Sequence, residues 1–341
     1  MVRLLLDPFQ VGFMQRALAA ALLVGVLGGV VGVFVVLRRL QFVGDALTHT
    51  VFPGVVVAFL TGRSILLGAL VFGLLTAVLL TLLTAHRRVT VDAGVAILLT
   101  SFFAAGVVLV SRTRGYTADL SLFLFGRILA IGADDLLQMG VVAALVLAAL
   151  AALRKELLLR AFDPEGAAAL GYRTVLLDLA LNVLVALVVV AGVKAVGTVL
   201  VVALIMVPAA TARLLTERVA AMTVLAAALG ALGGWVGLAI SYEASLQRGV
   251  RLAAGATIVV VLVGFFLVAL AASALTDRGG LTDRGGPTDR GGPTDRGGSK
   301  RPPGPPRRGE LRRAPGPHRE ATRRCCSGRW SRRSWSGRCA G

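Results

Sequence analysis

Nine apolar stretches, each close to the length that a bilayer demands, decide most of what this chain can fold into. They run over 12–37, 43–60, 64–84, 91–111, 134–153, 175–193, 196–213, 219–241 and 254–274. A hydrocarbon core takes about 20 apolar residues per helix. These runs are continuous, not alternating, so the expected fold class is an all-α polytopic membrane protein with about nine transmembrane helices (eight to ten). Composition agrees: 56% of the 341 residues are hydrophobic and 16% charged, where an average soluble domain carries about 25% charged residues. Water-soluble globular architectures are excluded. The segment 43–60 is short for a span, and within 175–213 only Lys194 and its neighbours mark a turn. Leu120–Ile131 (LSLFLFGRILAI) is too short to cross and reads as an interfacial or re-entrant helix. The first apolar stretch is too long for a cleavable leader.

The net charge of +18 would suggest nucleic acid if it covered a folded surface, but it is concentrated in the tail. Residues 276–341 hold 16 Arg and one Lys against four Asp and two Glu. Four TDRGG units cover Thr276–Ser299, followed by Pro, Arg, Gly and Ser in irregular order. A period of six with two glycines per copy buries no face, so 276–341 is expected as a disordered basic tail and 1–275 as the transmembrane domain. Such a tail suits anionic headgroups of membrane lipids, and no nucleic-acid partner is expected. Cys325, Cys326 and Cys339 all lie in the tail, where with His318 they match no zinc-finger spacing. Basic residues in the short loops divide almost evenly between the two sides. The tail tips the expected orientation toward a cytoplasmic C-terminus.

Charges within apolar helices are costly, roughly 2.5–3.5 kcal/mol each at the bilayer centre, so they mark places to look. One group stands out, Gly44-Asp45-Ala46-Leu47-Thr48-His49-Thr50-Val51-Phe52-Pro53-Gly54. Asp45 and His49 are four residues apart, so a helix puts them on one face. Carboxylate oxygen with imidazole nitrogen suits zinc, manganese or iron in the divalent state. The same pair also reads as a first-turn anion with its hydrogen-bond partner, and the pair alone does not separate the two. Pro53-Gly54 should loosen the helix one turn later. Two ligands do not complete a shell. His86, Asp92, Asp178 and Glu243 near helix ends are further candidates, each better read as a capping or interfacial residue.

Two other segments are informative. Lys194–Leu215 carries Pro208 in mid-pattern, followed by Ala209, Ala210, Thr211 and Ala212, then Arg213 and the Thr216-Glu217-Arg218 group. It reads as an apolar helix that breaks before a short polar helix. In Phe162–Tyr172, Asp163 as N-cap, Pro164 at the first helical position, then Glu165 and a closing Gly171 frame a helix of two turns, either a docking surface or a plain connector. Gly192 to Thr198 has glycines at phosphate-loop spacing but lacks the lysine, and no HExxH or GxSxG occurs. The chain is therefore not expected to be an enzyme.

Four segments together, Phe34–Phe59, Phe162–Arg173, Lys194–Leu215 and Gly255–Leu262, resemble the permease subunits of bacterial ABC importers for manganese, zinc or iron. The resemblance covers about 260 residues in order and stops at Ala274. It implies a fold similar to the vitamin B12 and siderophore importer permeases, in the bacterial inner membrane. It also implies a homodimeric permease served by an extracytoplasmic metal-binding protein and two copies of a separate ABC ATPase. No permanently bound cofactor is implied: the metal ion is the substrate, and ATP is used by the partner subunit. Asp45 and His49 match the family's Gly-Asp-x-x-x-His stretch and would coordinate metal transiently. Pro208, Ala209, Ala210, Thr211, Arg213 and Glu217 would be the element coupled to the ATPase. Asp163, Pro164, Glu165 and Gly171 would lie beside it as a second cytoplasmic contact. The stretch between Tyr242 and Gly255 departs from the family pattern in being longer and more basic. A proton-coupled secondary metal transporter, or a membrane scaffold without transport, are the alternative functions.

Overall fold

The computed structural model describes residues 12–86, 88–111, 130–247 and 253–282. They form α1 (Gly12–Leu37), α2 (Gln41–Thr50), α3 (Phe52–Leu60), α4 (Ile65–Ala85), α5 (Val91–Ser111) and α6 (Ala133–Ala152). After these come α7 (Arg154–Phe162), α8 (Pro164–Ala169), α9 (Thr174–Val196), α10 (Thr198–Leu215), α11 (Val219–Gln247) and α12 (Ala254–Thr282). Among the described residues nine helical spans are long and apolar enough to cross a bilayer, with α2 and α3 together making one of them. Among the described residues, the all-α architecture with nine candidate spans agrees with the expectation.

α1 is the hub, lying against α11, α10, α6 and α9. Its contacts are made by backbone as much as by side chains. A Cβ at Gly25 would stand 2.5 Å from the carbonyl oxygen of Gly230, and one at Gly29 would stand 2.5 Å from that of Ala226. On the adjoining side, Gly28 and Gly32 meet the carbonyls of Leu204 and Ile205 in α10. Lipid is as apolar as leucine, so helices in a membrane gain most from close van der Waals approach, which small residues permit. α4 packs on α9 and α3, and α5 covers α2 and α3.

If the nine candidate spans among the described residues alternate in direction, the α1–α2 turn, α7, α8, the start of α9 and the end of α10 fall at one end of the bundle, here termed the α8 end. Tertiary bonds agree: Arg38 and Arg160 both reach Asp178, and Arg213 Nη1 lies 3.5 Å from the Val36 carbonyl oxygen.

Three details depart from expectation. α9 continues through Lys194 to Val196, and the turn falls at Gly197, whose φ of 83° and ψ of 164° suit glycine alone. The glycine spacing of a phosphate loop therefore lies mostly within a helix. α10 does not break at Pro208 but runs unbroken from Thr198 to Leu215. Proline removes the donor to the Leu204 carbonyl, and Gly28 of α1 sits against that same carbonyl, where its Cβ would be 3.0 Å away. The helix therefore continues past a carbonyl that has lost its helical donor and lies close to α1. Finally, α12 extends to Thr282 through the first TDRGGL copy. All but the last two residues of the expected interfacial helix Leu120–Ile131 fall outside the described residues.

Candidate functional site

The candidate site begins at a tight turn. α1 ends with the Leu40 amide donating to the Val35 carbonyl and the Arg39 amide donating to that of Val36. This is the double closure of a Schellman motif, with Arg39 at φ 57° in the position usually given to glycine. Three residues later the chain is already in α2.

Asp45 is the fifth residue of α2 and His49 the ninth, about 6 and 12 Å along the axis from Gln41. Asp45 therefore lies beyond the first turn, and the N-cap position belongs to Leu40. His49 Nε2 stands 3.8 Å from Asp45 Oδ1, on one face as the spacing required but beyond hydrogen-bond reach. Both stay open: the Asp45 side chain is 51% exposed and that of His49 36%. The opposite face of α2 is sealed, with Val43, Gly44, Ala46, Leu47 and Thr48 buried. The imidazole meets the Phe103 ring of α5 edge-on at 6.1 Å, and Phe103 in turn leans on Phe52 at 6.0 Å. Pro53 cannot donate to the carbonyl of His49 four residues back, and α2 gives way to α3 at Val51. The interruption falls two residues before the proline. It leaves His49 in the last turn of its helix, two residues before the junction at Val51.

Among the described residues no three His, Cys, Asp or Glu side chains gather to hold a metal ion. His86 and Asp92 are exposed near the α4–α5 turn. Glu243 lies near the end of α11, with Oε1 buried and unpaired among the described residues. Asp178 is engaged elsewhere: Arg38 Nη2 and the fork of Arg160 bond its carboxylate. Sequence reasoning could not find this cluster, because Arg38 and Asp178 are 140 residues apart.

The two segments at the α8 end divide by burial. In α10, Pro208, Ala209 and Thr211 are buried, Ala210 is partly covered and Arg213 is exposed, as is Glu217 just beyond the helix. The Thr211 hydroxyl donates back to the Val207 carbonyl at 2.7 Å. Only the 213–218 portion offers a surface. α8 is framed as the sequence indicated. Asp163 Oδ1 accepts from the Gly166 amide at 2.8 Å with Pro164 in the first turn. Gly171 at φ 85° closes the helix, its amide donating to the Ala168 carbonyl and that of Tyr172 to the Ala167 carbonyl. Ala167 is buried, whereas Phe162, Asp163, Pro164, Glu165, Leu170, Gly171 and Tyr172 are exposed.

The profile of the ABC 3 transport family matches residues 10–273. The chain belongs to that family. It is 37% identical to the manganese transport system membrane protein MntC of Listeria innocua over 257 residues, covering 75% of this chain and 91% of that protein. It is 32% identical to a probable iron transport system membrane protein of Haemophilus influenzae, over 80% of this chain and 98% of the relative. Among solved structures it superimposes on PsaBC from Streptococcus pneumoniae in complex with Fab. The TM-score is 0.68 at 35% identity, with 79% of this chain and 95% of that one covered.

Proposed function

We propose that this chain is the membrane-spanning permease of an ATP-driven importer whose cargo is a divalent transition metal ion, manganese, zinc or iron. The observation that carries the reading is the Asp45/His49 pair, half open on one face of an interrupted span in a member of the ABC 3 transport family. A carboxylate turned toward lipid within a span is disfavoured, though less so near an end than at the centre, so this face belongs against water or protein. A second copy of the chain, related by a two-fold axis, supplies both the cover and a second oxygen–nitrogen pair. Two ligands from each subunit hold a cation transiently without closing a shell that would trap it.

ATP hydrolysis belongs to a separate ATPase, two copies of which dock at the α8 end. Arg213 and Glu217 form the contact that couples the subunits, with buried Pro208, Ala209 and Thr211 as its base and Ala210 at its edge. The α8 strip of Asp163, Pro164, Glu165 and Gly171 adds a second contact. The α8 end and the C-terminus are then cytoplasmic, and an extracytoplasmic metal-binding protein delivers cargo at the opposite end.

Uptake of radioactive manganese and zinc by a deletion strain carrying Asp45→Ala or His49→Ala tests the site. Uptake should be lost while the variant still co-purifies with its ATPase. Wild-type uptake in both variants would remove the site from the reading.

A further inference from the structure

Four charged side chains at the α8 end belong neither to the metal pair nor to the exposed docking strip. Asp178, one turn into α9, accepts from Arg38 Nη2 on Oδ1. It also takes the Arg160 fork, with Nε 3.3 Å from Oδ1 and Nη2 3.1 Å from Oδ2. The side chains are largely withdrawn from solvent, at 10% exposure for Arg38, 20% for Arg160 and 26% for Asp178. Two guanidinium groups therefore share one carboxylate away from bulk water. The imbalance is visible in single atoms. Among the described residues Arg38 Nη1 is buried without a hydrogen-bond partner, and so is Glu156 Oε2 on α7. Glu156 lies one turn before Arg160 on the same face of α7, and α7 packs against α1. A buried charge left with an unpaired donor is unfavourable, and a second acceptor stands on the adjoining element.

These residues also sit where three elements meet. Arg38 opens the turn that feeds α2 with Asp45 and His49. Asp178 is on α9, which packs on α2. Arg160 is on α7, two residues before the Phe162–Asp163 junction with α8. We infer that Arg38, Asp178, Arg160 and Glu156 are positioning residues for the transport stroke, with Arg38 bonded to Asp178 in one state and passing to Glu156 in the other. A displacement of α7 and α8 by the docked ATPase then moves the α1–α2 turn and carries Asp45 and His49 with it. The inference rests on the permease reading for its purpose, and its geometry can be tested apart from any cargo.

The test uses the full chain assembled with its ATPase. Thermal double-mutant cycles are run without nucleotide and in the ATP-trapped complex. Without nucleotide, Arg38→Met and Asp178→Asn should be non-additive, whereas Arg38→Met and Glu156→Gln should add. In the trapped complex the pattern should reverse. In proteoliposomes Glu156→Gln should retain ATP hydrolysis but lower metal uptake per ATP by about fivefold or more, and Glu156→Asp should recover part of it. The same coupling pattern in both states, or wild-type uptake per ATP in Glu156→Gln, overturns the inference. A wild-type complex that hydrolyses ATP yet moves no metal overturns the permease reading instead, and the thermal cycles then decide the exchange by themselves.

Discussion

α1 and the α2–α3 pair are buried to the same extent, 72% of the residues through the core of each span, yet by opposite means. α1 has a mean hydropathy of 2.7 and glycines that bring its backbone against two neighbours. α2–α3 has a mean hydropathy of 1.5, is interrupted at Val51, and leaves one polar face open while sealing the other. Equal burial therefore does not mean equal role. The first helix is a hub whose neighbours have no room to shift. The second span keeps a polar face within its length and an interruption beside it, the two features that the proposed ion path draws on.

This contrast can be broken experimentally. The largest effect is expected for Gly29→Leu, because the added side chain meets the Ala226 carbonyl and not a flexible side-chain end. The loss should exceed the ~1–3 kcal/mol typical of overpacking, with little folded protein recovered from membranes. Normal yield and melting temperature would end the description of α1 as a sealed hub. Next come Asp45→Ala and His49→Ala. Losing an outer partner of a metal ligand costs about 10–100-fold in affinity or activity, and loss of a ligand itself should lower metal uptake at least as far. Their melting temperatures should hold, since neither side chain is buried or mutually hydrogen-bonded. A fall comparable to that of Gly29→Leu would make the pair structural.

Smaller effects probe the interior between α4 and α9. Asn182 Nδ2 donates to Thr81 Oγ1 at 3.0 Å, both side chains being buried. Thr81→Ala strands the amide and should cost about 1–2 kcal/mol. Adding Asn182→Leu should recover most of that, because pairs of this kind average only ~0.6 kcal/mol in a membrane. Unfolding in detergent measures both. The smallest change is Arg39→Gly at the α1–α2 turn, where relief of the left-handed conformation should stabilise the chain by up to about 1 kcal/mol, offset in part by glycine's greater freedom when unfolded. A lower melting temperature would mean that the exposed Arg39 side chain contributes more than its backbone costs.

Sequence alone was sufficient for the spans, for the α8 frame of Asp163, Pro164 and Gly171, and for the shared face of Asp45 and His49. Each of these follows from local physics: transfer of one segment into lipid, capping within a few residues, and the helical repeat. It misplaced the α9–α10 turn, because Lys194 is a compositional signal whereas Gly197 is the residue able to take the backbone conformation required. It also expected a break at Pro208, where α10 instead continues to Leu215 with Gly28 of a distant helix against the Leu204 carbonyl. Which face of an apolar helix looks inward was not readable either, since lipid and protein core are equally apolar and polarity does not distinguish them. That choice, the burial of Pro208, Ala209 and Thr211, and the meeting of Arg38, Arg160 and Asp178 were settled by tertiary packing, in which glycines set the helix separations and charges far apart in the chain find each other at one end of the bundle.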